Sequence, residues 1–316
     1  MTALNGYIQG LGGGKVYPPK WQEIGYSDTP SEIISAFDYA KNIQTNWAVG
    51  QASQWNQNKK LFFFPVVDMT SRRDYYGYFN ESNLMHFPQT TIGDNSNNNG
   101  TCVNMFRKTY IEEITLNSTT ATQKFNTENM FSECKNLKKA VLNLKSYQSN
   151  GMFYECRDLT SVTGLDTSEV VNMANMFENC RSLTIAPDID TSSAQNMYRM
   201  FKDCILLESV PIGNINYHTV KDFGQMFWGS YNLKNIPVID FTSATNLNNM
   251  FQSTGSNLTE QSRDNILHSL ASASSYTGTK TLAQLGFTSS MYSAASWQAL
   301  QHYTDFVNAG WSIGYT

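Results

Sequence analysis

The residues with most chemistry to offer are five cysteines, Cys102, Cys134, Cys156, Cys180 and Cys204, and four histidines, His86, His218, His268 and His302. A thiolate is a nucleophile and a soft-metal ligand, and a neighbouring imidazole could serve it as base or co-ligand. The spacing favours neither use. No two cysteines make a C-x-x-C pair, and no histidine stands at ligand distance from one. A column of small buried thiols, replaced by Ser230 and Thr254 further along, accounts for them better, with a disulfide between adjacent rungs as the remaining option. Asp166, Asp190 and Asp240 recur where helix caps would stand, so capping explains them better than acid–base catalysis. The stretch Gly10-Leu-Gly-Gly-Gly-Lys-Val-Tyr-Pro-Pro19 has the glycines of a phosphate loop, but Val16 stands where Ser or Thr should hold magnesium. Its Gly and Pro content suits a docking or flexible arm. These residues point to no enzyme, no cofactor and no metal.

The elements that position them are repeated. Met-Phe recurs at Met105, Met130, Met152, Met176, Met200, Met226 and Met250, in steps of 25, 22, 24, 24, 26 and 24 residues. Four residues after Met comes Cys134, Cys156, Cys180 or Cys204, then Ser230 and Thr254; seven after it comes Leu137, Leu159, Leu183, Leu207 or Leu233. An older copy lies upstream, where Pro65-Val-Val-Asp-Met-Thr-Ser71 aligns with Pro237-Val-Ile-Asp-Phe-Thr-Ser243, so the array runs from about residue 55 to about 258. Met197, Met200, Phe201 and Cys204 fall at i, i+3, i+4 and i+7, which predicts a short helix capped by Asp190-Thr-Ser-Ser193. Leu183, Ile185 and Ile189 predict a short extended stretch made irregular by Pro187. A unit this small cannot bury its apolar face alone, so identical units must stack. The repeat core is then Met130, Phe131, Met152, Phe153, Cys156, Met176, Phe177, Cys180, Met200, Phe201, Cys204, Met226, Phe227, Met250 and Phe251.

The phrase Asp166-Thr-Ser-Glu-Val-Val-Asn-Met-Ala-Asn-Met-Phe177, with Cys180 and Leu183, resembles the BspA-like leucine-rich repeat over roughly residues 55 to 258. That family includes surface proteins of gut Bacteroidales and mycoplasmas and proteins of their phages. The chain departs from the pattern at Asn216-Tyr217-His218 and in the units before Met130. The resemblance implies an α/β repeat: a leucine-rich-repeat-type solenoid of about eight units with an N-terminal helical arm and a C-terminal helical cap, used for adhesion or assembly. The expected domains are 1–54 (arm and helix, an anchor), 55–258 (solenoid) and 259–316 (helical cap).

At the N-terminal end, Thr29-Pro-Ser-Glu32 is a capping box, and Ile33, Phe37 and Trp47 lie on one apolar stripe of a helix predicted over 30–47. At the other end, Thr259 is positioned to cap a helix carrying Ile266, Leu267 and Leu270, and a second helix is predicted from about Ser290 to Ala309. The segments Leu282-Ala-Gln-Leu-Gly286 and Ala309-Gly-Trp-Ser-Ile-Gly-Tyr315 resemble the tail of repeat proteins encoded by gut phages.

Charged residues are 15% and the formal net charge is −4, without a Lys/Arg cluster, which argues against nucleic acid as partner. The longest apolar run, residues 61–67, is too short to span a bilayer, and no secretory signal is recognised. Variable positions after each Met-Phe should face outward, and among them Trp228, with Tyr231, Tyr154 and Lys202, are the candidate partner-binding residues. Trp228 has two readings at this stage: a contact for protein or carbohydrate, or packing against the next unit. The expected function is a non-enzymatic virion protein, tail- or fibre-associated. Its anchor, including Ile33, Phe37 and Trp47, would hold other virion proteins, and its repeats would meet neighbours, a host surface protein or a glycan. A bacterial cell-surface adhesin is the alternative. Homo-oligomerisation is compatible with the sequence, although no heptad stretch supports a coiled coil.

Overall fold

Alternating burial defines the strands of this computed structural model, which describes residues 57, 69–70, 74–93, 99–210 and 218–315. In Lys139–Gln148, Ala140, Leu142 and Leu144 are buried while Lys139 and Asn143 are exposed, the period-two pattern of a half-buried strand. Six strands form: β1 (Thr90–Ile92), β2 (Gly100–Thr101), β3 (Glu113–Ser118), β4 (Lys124–Asn126), β5 (Lys139–Gln148) and β6 (Ser161–Asp166). All pair in parallel, in the order β1-β3-β5-β4-β2, with β6 also on β5. β5 serves two rows. Its first half lies between β3 and β6, and its Lys145–Gln148 end pairs with β4. Further along the chain both rows shrink to single parallel bridges, Ile185–Ser209–Asn235 and Asn172–Asn196–Asp222–Asn246. Pro187 and Pro237 lack the N–H that a longer ladder would need there.

The Met-Phe phrase lies on a turn, and that turn is not helical. Met200 and Cys204 donate their N–H groups to carbonyls three residues back, Met197 O and Phe201 O. The alternate donors Arg199, Phe201 and Asp203 reach instead to Gly224 O, Met226 O and Trp228 O in the following layer, at 2.7–3.0 Å. Arg199 and Asp203 are in the left-handed region, with φ of 56° and 57°. The same pair of positions is left-handed in the other Met-Phe turns, for example Asn129 and Glu133, or Asn175 and Asn179. Each turn thus spends half its N–H groups locally and half on its neighbour, whereas a helix would spend them all on residue i−4.

This register stacks like on like. Phe79, Phe106, Phe131, Phe153, Phe177, Phe201, Phe227, Phe251 and Phe287 form a column of rings with centroids 5.1–5.9 Å apart and nearly parallel planes. Offset stacking of this kind adds about 0.5–1.5 kcal/mol per pair beyond area burial. The residues marked as repeat core, from Met130 to Phe251, are all buried. Asn126, Asn172, Asn196, Asp222 and Asn246 open five of the turns by accepting the N–H two residues on, at 2.8–3.1 Å.

Three α-helices occur among the described residues: α1 (Glu260–Ala271), α2 (Ala294–Gln298) and α3 (Tyr303–Asn308). The side chain of Thr259 accepts from Ser262 N–H at the start of α1, which buries Ile266, Leu267 and Leu270. Hydroxyls of Ser262, Ser269 and Ser272 accept from Ile236, Ile239 and Phe241 N–H, so α1 satisfies donors at the edge of the layered region.

The expected α/β leucine-rich-repeat-type solenoid of about eight units with a helical arm and helical cap is therefore corrected. The architecture is mostly a parallel sheet with few helices. Two physical reasons account for the difference. Consecutive i→i+3 turns place residues three and four apart on one side, as a helix does, so the i, i+3, i+4, i+7 spacing does not separate the two. Asp166, Asp190 and Asp240 accept from the N–H two residues on, at 2.8–3.0 Å, and so open turns instead of capping helices. The array also does not give way to a purely helical cap after residue 258. Asn249 and Phe251 donate to Gln284 O and Leu285 O, Phe287 tops the ring column, and Thr281 bridges Ser312 in parallel. The helix expected from Ser290 to Ala309 is two short ones, α2 and α3. The helix expected over 30–47, with Ile33, Phe37 and Trp47, and the glycine-rich stretch from Gly10 lie outside the described residues; of the copy beginning at Pro65 only Met69 and Thr70 are described, Met69 being buried and bridged in parallel to Ile92.

Candidate contact surface

The thiols face inward and are spoken for. Cys134, Cys156, Cys180 and Cys204 Sγ donate to Phe106, Phe131, Phe153 and Phe177 O of the preceding layer at 2.9–3.2 Å. Ser230 Oγ makes the equivalent bond to Phe201 O at 2.8 Å, which explains why serine can replace cysteine there. Burial raises every one of these thiols, Cys134 to about 12, so none is a thiolate at neutral pH. All five cysteines are free.

Two of the four histidines, His268 and His302, come together. His218 Nδ1 pairs with Asp240 Oδ2 at 3.0 Å on an exposed edge. His302 Nδ1 pairs with Asp264 Oδ2 at 2.7 Å, tying α3 to α1, and His268 meets the His302 ring edge-on at 4.4 Å. His86 is half-buried, and desolvation lowers its pKa. Among the described residues no group of three or more His, Cys, Asp or Glu side chains could hold a metal ion.

The turn edge is where outward side chains change from layer to layer. Two residues after each Met stand Arg107, Ser132, Tyr154, Glu178, Lys202, Trp228 and Gln252; one position on stand Lys108, Glu133, Glu155, Asn179, Asp203, Gly229 and Ser253. The earlier layers carry a ladder of opposite charges. Arg107 bonds Glu81 at 3.5 Å and Glu133 at 2.7 Å, Lys108 approaches the same two carboxylates, and Arg157 pairs with Glu155 at 2.7 Å. Lys202 joins Glu178 of the layer before at 3.0 Å and its own neighbour Asp203. Burial alone would depress the Lys202 ammonium, but hydrogen bonds to Asp203 and Glu178 outweigh it and hold its pKa above the ordinary value.

Of the four candidate contact residues, the structure therefore brings Lys202 into an interlayer ion pair that leaves little of it for a partner. Tyr154 is half-buried, and burial, followed by the Glu178, Glu155 and Glu133 carboxylates, raises its phenol. Trp228 is half-buried and Tyr231, on the same turn, is 52% exposed. Ile205 and Leu206 occupy the corresponding outward positions one layer earlier, Leu206 being exposed. Gln252 belongs to the variable positions after Met-Phe expected to face outward, whereas Ile205, Leu206, Asn232 and Asn257 lie outside that expectation. A signal was present in the repeat: Ile205 and Tyr231 stand five residues after Met200 and Met226, where earlier layers carry Lys135, Arg157 and Arg181.

The profile of a protein family described as "Mycoplasma protein of unknown function, DUF285" matches residues 147–263, less than half of the chain. No curated protein matches the sequence. The matched span contains the turn edge from Tyr154 through Lys202 and Trp228 to Tyr231 and Asn257.

Proposed function

We propose that this protein is a non-enzymatic structural component of a phage virion, tail- or fibre-associated, that uses the turn edge of its layers for protein contact or host attachment. The observation that carries the reading is the division of labour within each turn. Met, Phe and Cys repeat and are buried, while the pair of positions that follows each Met-Phe changes along the array and is at least partly exposed in most layers. Such an array holds a rigid, extended face whose chemistry can vary independently of its core. Thiols bonded to carbonyls and imidazoles bonded to carboxylates serve the fold, which favours a binding role over a catalytic one. The virion placement draws support from the resemblance of 282–286 and 309–315 to the tails of phage-encoded proteins, with residues 1–50 as the attachment segment.

A bacterial surface adhesin is the second reading, favoured by the matched family being described as a Mycoplasma protein. Mass spectrometry of purified particles and of the host envelope decides between them. The virion reading expects the chain in particles, and deletion of residues 1–50 should abolish its incorporation. Recovery from the envelope alone, or incorporation that survives the deletion, refutes it.

A further inference from the structure

Among the described residues the ring column begins at Phe79, and Phe79 is nevertheless fully buried. Phe106 covers one face of its ring at 5.2 Å. Phe87 lies 5.3 Å from Phe79 and 4.9 Å from Phe106, edge-on to both. The three centroids make a nearly equilateral triangle, so Phe87 stands beside the column and not beyond its end. The face of Phe79 turned away from Phe106 is therefore covered by a group ahead of it in the column.

Gln57 shows where that group comes from. Its N–H donates to Asn80 O at 2.6 Å, and its φ is 57°. The turns that follow make the same bond, from their second left-handed residue to the residue after the next Phe. Glu81 donates to Arg107 O, Lys108 to Ser132 O, Glu133 to Tyr154 O and Asp203 to Trp228 O, at 2.6–2.9 Å and with φ of 57–63°. Gln57 thus holds the slot of Glu81. In those turns Phe stands two residues earlier, and two residues before Gln57 stands Trp55. Trp55 precedes Phe79 by 24 residues, the spacing found again between Phe153 and Phe177. The phenylalanines at 62–64 fall instead where the next layer carries His86-Phe87-Pro88, beside the column.

We infer that residues 51–57 build one further turn on the Phe79 layer and that the Trp55 ring lies on the Phe79 ring. The Gln57 bond sets the register: Trp55 N–H donates to Tyr78 O, as Phe79 N–H donates to Met105 O. An indole buries a large apolar area there and gains the stacking preference of aromatic pairs. Gln54 takes the slot of Tyr78 and Met105, an amide where later turns hold an apolar or aromatic side chain, which suits a terminal layer with a polar outer face. The occupant of this end of the array is then the chain itself. A neighbouring protein finds no seat on Phe79, and an N-terminal attachment segment lies before residue 51. The inference does not rest on the virion reading.

The test is NOE spectroscopy on the full-length protein with labelled Trp and Phe rings, the Trp55 signals being those that disappear in Trp55→Phe. NOEs between the Trp55 indole and the Phe79 ring are expected. Trp55→Ala should lower the thermal midpoint by about 5 °C or more, and Trp55→Phe by less than about half as much, since a benzene ring can still stack. Where Trp55→Ala does not fold, the NOEs of the native protein decide. NOEs from Phe79 to Trp21, Trp47 or residues 62–64 with none to Trp55, or an unchanged midpoint in Trp55→Ala, overturns the inference.

Discussion

Replacing Ser253 by glycine should stabilise the protein, and the sign of that effect separates a turn from a helix. Ser253 follows Met250-Phe251 at the second left-handed position of its turn, with φ of 57°. A non-glycine residue held there costs about 1–2 kcal/mol. Glycine removes that cost but surrenders about 0.5–1 kcal/mol of extra chain entropy. The net expectation is a gain of about 0.5–1 kcal/mol for Ser253→Gly, and a change near zero for Ser253→Ala. In a helix the order would reverse, with glycine about 0.5 kcal/mol worse than serine and alanine better. Gly229 already occupies the equivalent left-handed position one layer earlier, so the backbone accepts the residue. Urea unfolding followed by circular dichroism, with matched m-values, gives both numbers. Destabilisation by glycine together with stabilisation by alanine would refute the turn account.

Other perturbations follow from the same geometry. Phe177→Ala removes a ring stacked 5.4 and 5.6 Å from its neighbours and should cost about 3–5 kcal/mol in urea unfolding; a loss under about 1 kcal/mol contradicts the ring column. Cys180→Ser should be tolerated within about 1 kcal/mol, because the hydroxyl can donate to Phe153 O as Ser230 does to Phe201 O, and native thiols should resist a disulfide reagent at pH 8 until the protein is denatured. Lys202→Met leaves the buried Glu178 carboxylate without its cation and should cost about 1–3 kcal/mol, much of it recovered when Glu178→Gln is added. Asp240 offers a pH test: burial would raise its carboxyl, but hydrogen bonds from Thr242 and His218 outweigh that and hold it below 3.8. A depressed folded pKa gives stability that is complete above the unfolded value and lost as pH falls through the folded one. An NMR titration should place the Asp240 midpoint below 3.8, and a midpoint above it would contradict the turn geometry.

The period of the array was legible because each layer must fill the same seam. Met-Phe and the residue four further on therefore stand out at steps near 24 residues, and Phe131, Phe153 and Phe177 are among the rings that stack. The local conformation was not legible. Side-chain spacing records which residues share a face, and Met197, Met200, Phe201 and Cys204 share one in either conformation. What decides the matter is where the Phe201 N–H goes, and that depends on the following layer. The left-handed positions left only a faint trace, through Gly151, Gly229 and several asparagines, because Glu133, Arg199 and Asp203 adopt the same backbone. The aromatic half of the contact surface was visible in Trp228 and Tyr231. Leu206 was not, since its exposure beside the buried repeat residue Leu207 shows only in the structure. Lys202 read as an outward charge because sequence does not show that Glu178, one layer back, faces it.

The claim beneath all of this is that successive layers meet in register, phenylalanine on phenylalanine. NOE spectroscopy on protein with selectively labelled phenylalanines tests it most directly. The Phe177 ring should give contacts to both Phe153 and Phe201, whose centroids lie 5.4 and 5.6 Å away, and these should vanish in Phe177→Leu. Contacts from Phe177 only to residues of its own turn, or to one neighbouring layer and not the other, would contradict the account.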